Sequence, residues 1–294
     1  MSEPPAATAA TVAGARSGGT WGSVLSCQEV AALGGVGFTP VGHVFGAAVY
    51  AAGSASGSTC PGVPGSGAVV QPPGDPGGFR PLVEAMYQAR RAAVDRMTAE
   101  CTALGGHGVV GVRLSRGSFF LGGLEFTAIG TAVRATGAAG LELPFTSALS
   151  GQDFARLITA GWVPAGLVLG IAIGSRHDDR AITRQGRPWS GNAEMAGWTE
   201  LVNQTRRDAG RQMGQDVRRL GAEGAVTADM EMRVRQRDCP AAVGRRDHVV
   251  EVTLIGTAIA SFASAAGRRP GRSLTVMPLG RQRAQAAWPG QDQH

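Results

Sequence analysis

The side chains best suited to a soft metal are Cys101 and His107, near the end of a predicted long helix, with His43 as a third candidate. A zinc or copper site needs converging thiolates or imidazoles, commonly in C-x-x-C or H-x-x-x-H spacings. Neither spacing occurs in a chain with four cysteines and five histidines. A lone cysteine also behaves as a small hydrophobic residue. We therefore predict no specific metal site or cofactor, and keep a heavy-metal-binding module that uses Cys101 and His107 as the alternative.

Enzyme motifs are not found either. The 28 basic residues include no lysine, which excludes the phosphate-binding loop G-x-x-x-x-G-K-[ST]. The sequence has no G-x-S-x-G elbow, no G-x-G-x-x-G that links a strand to a helix, and no signature that ties a serine to histidine and aspartate. We predict a protein that is not an enzyme.

The formal charge of +6 is concentrated at one end of the chain. Residues 264–294 hold five arginines against one aspartate, so the rest of the chain is close to neutral. Aromatic residues are sparse and do not alternate with arginines as a nucleic-acid stacking platform requires. We expect no nucleic acid, and at most a weak acidic partner on this tail. No apolar run is long enough to span a bilayer and Met1–Thr20 lacks a secretory pattern, so a cytoplasmic location is expected.

The chain contains two copies of one domain. Residues 25–50 align without a gap to residues 149–174, with 11 of 26 positions identical. Two further blocks recur in the same order: 83–110 matches 199–226, and 125–132 matches 251–258. An internal repeat of this kind predicts two similar domains in tandem, whatever the assignment of single helices and strands.

Each copy is predicted to be a small α+β domain in which one long helix covers a mostly antiparallel sheet. A serine, Ser26 or Ser150, opens a short helix, and a strand rich in branched residues follows. The long helices are predicted at about 81–104 and 194–220, each followed by two strands. The predicted organisation is a disordered tail (1–20), domain 1 (21–136, with a flexible Gly/Pro loop at 53–78), domain 2 (143–262) and a basic low-complexity tail (264–294).

The first strand of each copy carries glycines on one face: Gly42 and Gly46 in the first, Gly166 and Gly170 in the second. Glycine in a strand indicates close approach of another element, and we expect the long helix there, with a ligand or a subunit as alternatives. The opposite face is also apolar in both copies. A strand that is apolar on both faces is covered on both, which predicts a second layer from the sister repeat or another subunit.

An arginine interrupts the apolar stripe of both long helices, at Arg90 and Arg206. A snorkelling side chain is one interpretation, and a partly buried charge that needs a carboxylate is the other. Glu125 and Glu251 begin the last strand of each copy, so we predict the pairs Arg90–Glu125 and Arg206–Glu251.

These landmarks resemble the YbjQ-like family, often labelled a "putative heavy-metal-binding domain". The resemblance is carried by the glycine-rich strand PVGHVFGAAVY, the helix EAMYQARRAAVDRMTAECTALGGHGVVGVRL and the closing EFTAIGTAV, and it is weaker in the second copy. It implies small α+β subunits that assemble as pentameric rings, with a largely uncharacterised function. We therefore expect a non-enzymatic, homo-oligomeric binding or structural protein built from tandem domains.

Overall fold

The computed structural model describes residues 22–51, 79–120, 123–137, 143–177, 194–238 and 246–262. It confirms an α+β protein with two tandem copies, each a sheet covered by one long helix. The predicted tails (1–20 and 264–294) and the 53–78 loop lie outside the described residues. The elements are α1 (Cys27–Gly35), β1 (Phe38–Ala51), α2 (Arg80–Ala103), β2 (Gly108–Ser118), β3 (Gly123–Ala135), β4 (Phe145–Thr146), α3 (Gly151–Thr159), β5 (Trp162–His177), α4 (Ala196–Arg219), β6 (Gly224–Asp238) and β7 (Arg246–Ser261).

The two sheets have the same strand order, with one addition. The first sheet is ordered β1-β3-β2-β4 and the second β5-β7-β6. All pairings are antiparallel except that of β4, which runs parallel to β2. Because β4 belongs to the second copy and β2 to the first, the second copy contributes the outermost strand of the first sheet.

Both short helices begin at the predicted serine. The Ser26 hydroxyl accepts a hydrogen bond from the Glu29 amide, and the Glu29 carboxylate accepts one from the Ser26 amide, which completes a capping box. Ser150 caps α3 through the Asp153 amide. Among the helices of the described ranges, none combines the length and apolar character needed to span a membrane.

The long helices lie against the glycine face of the first strands. A Cβ atom on Gly46 would meet the backbone carbonyl of Ala93 in α2, and one on Gly170 would meet that of Ala209 in α4. Gly42 lies under Leu104 in the same way, with 2.9 Å from an added Cβ to the leucine Cδ1. Gly166 lies under the side chain of Leu220, at 3.3 Å. The close approach that the glycines predicted is therefore made by the helix.

We predict that Gly46→Ala and Gly170→Ala each lower the free energy of unfolding by about 1–3 kcal/mol or more, because the methyl group meets helix backbone that cannot yield. Urea denaturation measures this. Gly210→Ala is the control: Gly210 lies within α4 with no atom within 4 Å of an added Cβ, and alanine there should add up to about 1 kcal/mol. Equal stability of Gly46→Ala and wild type would contradict the packing.

Candidate assembly interface

The second apolar face of β5 is buried by the first copy. Leu169, Ile171 and Ile173 point away from α4 and are at most 9% exposed. Ile171 and Ile173 share one apolar cluster with residues of the first copy: Phe79, Met86, Ala89 and Phe126. We call this contact the inter-repeat interface. Burying such side chains contributes on the order of 1.5–3 kcal/mol each.

Polar groups of α2 complete the same contact. The Tyr87 hydroxyl lies 2.8 Å from the backbone nitrogen of Ile171 and accepts its hydrogen bond. Burial raises the pKa of Tyr87 to about 12. One turn along the helix, Arg91 lies 3.9 Å from Asp216 of the second copy. The unpaired edge of β5 is thereby capped by a side chain of the other repeat.

A buried ion pair joins the two sheets. Arg116 Nη1 on β2 lies 2.6 Å from Glu251 Oε1 on β7, with side chains only 4% and 8% exposed. Arg235 approaches the other carboxylate oxygen at 3.4 Å from an exposed position. A pair this deeply buried stabilises the contact only while both charges are present, since either one alone would be buried without compensation.

Arg90 lies beside this ion pair. It is buried, and its guanidinium sits 5.0 Å from the ring centroid of Phe126. Burial, together with the charge of Arg116, lowers the pKa of Arg90 to about 10, and Glu251 is the carboxylate that most opposes this shift. The Nη1 group of Arg90 has no hydrogen-bond partner among the described residues.

The predicted pairing within each copy is wrong. Arg90 stacks on Phe126 and makes no ion pair with Glu125. Glu251 is held by Arg116 and Arg235, while Arg206 is exposed. The carboxylate of the second copy therefore meets arginines of both copies, because the inter-repeat interface brings β2 and α2 of the first copy to β7.

Strand addition extends the interface along β2. The Ser147 amide donates to the Val109 carbonyl at 2.8 Å, and the Ser147 carbonyl accepts from the Val112 amide at 2.9 Å. The Ser147 hydroxyl lies 3.3 Å from that of Thr257 on β7, so the segment is anchored to its own copy as well. Ser23 makes the equivalent contact in the first copy, 3.0 Å from the Thr131 hydroxyl.

The two short helices also meet across the repeats. The Glu29 carboxylate accepts a hydrogen bond from the Gly151 amide at 3.1 Å, and the α-carbon of Gly151 faces Glu29 too closely to carry a Cβ atom. Burial acts to raise the pKa of Glu29, but hydrogen bonds from Ser26 and Gly151 outweigh it and lower that pKa. A carboxylate at a helix N-terminus is the favourable charge arrangement.

Two of the three candidate metal ligands, Cys101 and His107, make hydrogen bonds with the backbone. The Cys101 thiol is fully buried and donates to the Gly108 carbonyl at 3.3 Å, and burial raises its pKa to about 12. His107 Nδ1 accepts a hydrogen bond from the Ala135 amide at 3.2 Å, and His43 lies half-buried on β1 opposite Thr131. Cys60 and Cys239 lie outside the described residues. Within the described ranges, no three His, Cys, Asp or Glu side chains group in a way that could hold a metal ion.

Comparison with known proteins gives one family and two relatives. The family model described as "Putative heavy-metal-binding" (YbjQ) matches residues 76–136 and 163–261. An "Encapsulin nanocompartment protein", Rv1762c of Mycobacterium tuberculosis, is 34% identical over 266 residues, which cover 87% of this chain and 88% of that protein. A UPF0145 protein of Halorubrum lacusprofundi is 45% identical over 58 residues, 20% of this chain and 56% of that protein. No solved structure gives a significant match.

The described residues do not fit the metal that the family description names. A thiolate ligand must lose its proton, and Cys101 is buried where the neutral thiol is favoured and is already hydrogen-bonded. Its aligned position in the second copy is Val217, an apolar residue of similar size.

We predict that Arg116→Met lowers the free energy of unfolding by about 3–5 kcal/mol, because Glu251 would keep its buried charge without its closest partner. Methionine is also the residue at the aligned position, Met232. Arg235→Met is the matched control and should cost under about 1 kcal/mol, since Arg235 is exposed. Equal losses for the two variants in urea denaturation would contradict the role of the buried pair.

We predict that Cys101→Val changes the free energy of unfolding by less than about 1.5 kcal/mol and leaves Zn²⁺ binding unchanged, because Cys101 packs as a small core residue. Anaerobic calorimetric titration of variant and wild type measures the binding. If the wild type bound one Zn²⁺ per chain and the variant bound none, Cys101 would be a metal ligand and this prediction would be wrong.

Proposed function

The chain belongs to the YbjQ family, described as "Putative heavy-metal-binding", and from that membership and the inter-repeat interface we propose that it is a non-enzymatic protein that acts through self-assembly of its tandem repeats. The proposed functional form of the protein is a homo-oligomer. Its relative of 34% identity is named a nanocompartment protein, which supports a role within an assembly.

One observation carries the proposal. Leu169 and Ile173 on β5 are 6% and 9% exposed, and Ile173 packs in one cluster with apolar residues of the first repeat. The aligned residues on β1 are Phe45 and Val49, which are 42% and 48% exposed. The two strands are equivalent in the repeat and apolar on the same face, yet Phe45 and Val49 are exposed where Leu169 and Ile173 are buried. Exposed apolar side chains on a sheet face whose counterpart is buried support a contact with another protein molecule.

Strand β6 of the second sheet supports the same proposal. Strand β6 is aligned with β2, which pairs with β4, but among the described residues β6 is the outermost strand of its sheet. Four apolar side chains on it are exposed: Val226, Met230, Met232 and Val234. A long edge strand with exposed apolar residues is a template for pairing with another chain.

We predict that the full chain sediments as an oligomer and that Phe45→Ser raises the dissociation constant about tenfold or more, since a central apolar residue of an interface is worth more than about 1.4 kcal/mol. Sedimentation velocity over a concentration series measures both. Phe120→Ser is the control: Phe120 is 84% exposed in the turn between β2 and β3 and should not alter assembly. A wild-type monomer at micromolar concentration would overturn the proposal.

A further inference from the structure

The inter-repeat interface joins two different surfaces. The first copy contributes what we call the helix-side surface, formed by α2 and the outer edge of β2. The second copy contributes the strand-side surface, formed by the outer face of β5, Glu251 and residues 145–149. A contact between unlike surfaces is heterologous: each chain that makes it once still carries one unused surface of each kind.

Both unused surfaces can be located through the duplication. The unused helix-side surface lies on the second copy, on α4 and the outer edge of β6. The unused strand-side surface lies on the first copy, on the outer face of β1, Glu125 and residues 22–25. These are the regions in which the exposed apolar side chains of β6 and β1 occur.

We infer that a second copy of this chain docks its first repeat onto α4 and β6, so that Arg206 of one chain pairs with Glu125 of the next. The inference rests on the proposed self-assembly and specifies its geometry. The contact between chains then repeats the contact that already exists between the two repeats of one chain.

The charges of the unused surfaces are complementary. Arg206 is exposed and Glu125 half-buried, and neither makes an ion pair or hydrogen bond among the described residues. At the inter-repeat interface the aligned residues are Arg90 and Glu251: the charge of Glu251 favours the charged form of Arg90 and opposes the lowering of its pKa, while Arg116 makes the ion pair with Glu251. In the contact between chains the position of Arg116 is taken by Met232, so Arg206 is the arginine left to face Glu125. This pair differs from the two predicted from the sequence, Arg90–Glu125 and Arg206–Glu251, of which neither forms within the described part of the chain.

Backbone groups are complementary as well. Ser147 hydrogen-bonds through both its amide and its carbonyl to the edge of β2. Ser23 occupies the same place in the first copy, anchored to Thr131 through its hydroxyl, and its amide and carbonyl make no hydrogen bond among the described residues. Residues 22–25 of a second copy can therefore pair with the outer edge of β6 as residues 145–149 pair with β2.

A charge exchange tests the inference on the full chain. Glu125→Arg alone and Arg206→Glu alone should each raise the dissociation constant at least about tenfold, because each places like charges together. The double variant Glu125→Arg/Arg206→Glu has the net charge of the wild type and should recover its oligomer. Arg80→Glu is the control, since Arg80 is 77% exposed on α2, outside the proposed contact, and should not change assembly.

The possible results distinguish an error in the proposed contact between chains from an error in the proposed self-assembly. Recovery in the double variant supports the Arg206–Glu125 contact, including where a single variant is less stable. If the double variant dissociates as readily as the single ones while Phe45→Ser also dissociates the oligomer, the geometry is wrong and self-assembly stands. If single charge reversals leave the oligomer unchanged, the contact is likewise overturned. A wild-type monomer overturns both.

Discussion

The rest of the structure depends on the burial of the second apolar face of β5 beneath the first repeat. In the part of the chain that the structure describes, each sheet has one long helix on one face, so the other face needs a second layer to shield it from water. For β5 that cover comes from α2 and its apolar neighbours. The short helices, the added strand β4 and the buried Arg116–Glu251 pair all lie where this contact has brought the two repeats together.

The sequences of the two copies differ at the positions that make contacts between the repeats. Arg116 and Tyr87, which join the repeats, align with Met232 and Asn203. Leu104 is buried at the end of α2, whereas the aligned Leu220 is 45% exposed. The glycines under the long helices are retained, because the packing of helix on sheet is needed in both copies. The core of the repeat is thus common to both copies, and the surfaces that meet other repeats are specialised.

Much of the fold was predictable from the sequence, because repetition shows which positions recur. The helices were placed to within about two residues by periodicity and by their terminal serines and glycines. The two-residue strand β4 was not, since its pairing with β2 is set by a distant part of the chain. The comparison of Arg90 and Arg206 with Glu125 and Glu251 predicted ion pairs within each copy, and those pairs were wrong. Alignment of the copies cannot distinguish a contact within a copy from one between copies. Tyr87 and Arg116 were missed because neither is retained in the second copy.

The most direct test of the central claim is an electron cryo-microscopy structure of the full-length oligomer. We predict that residues 22–25 of one chain pair with the outer edge of β6 of its neighbour, that Phe45 is buried against α4 of that neighbour, and that Arg206 lies within about 4 Å of Glu125 across the chains. An oligomer in which the edge of β6 stays open and Phe45 remains exposed to solvent would contradict it.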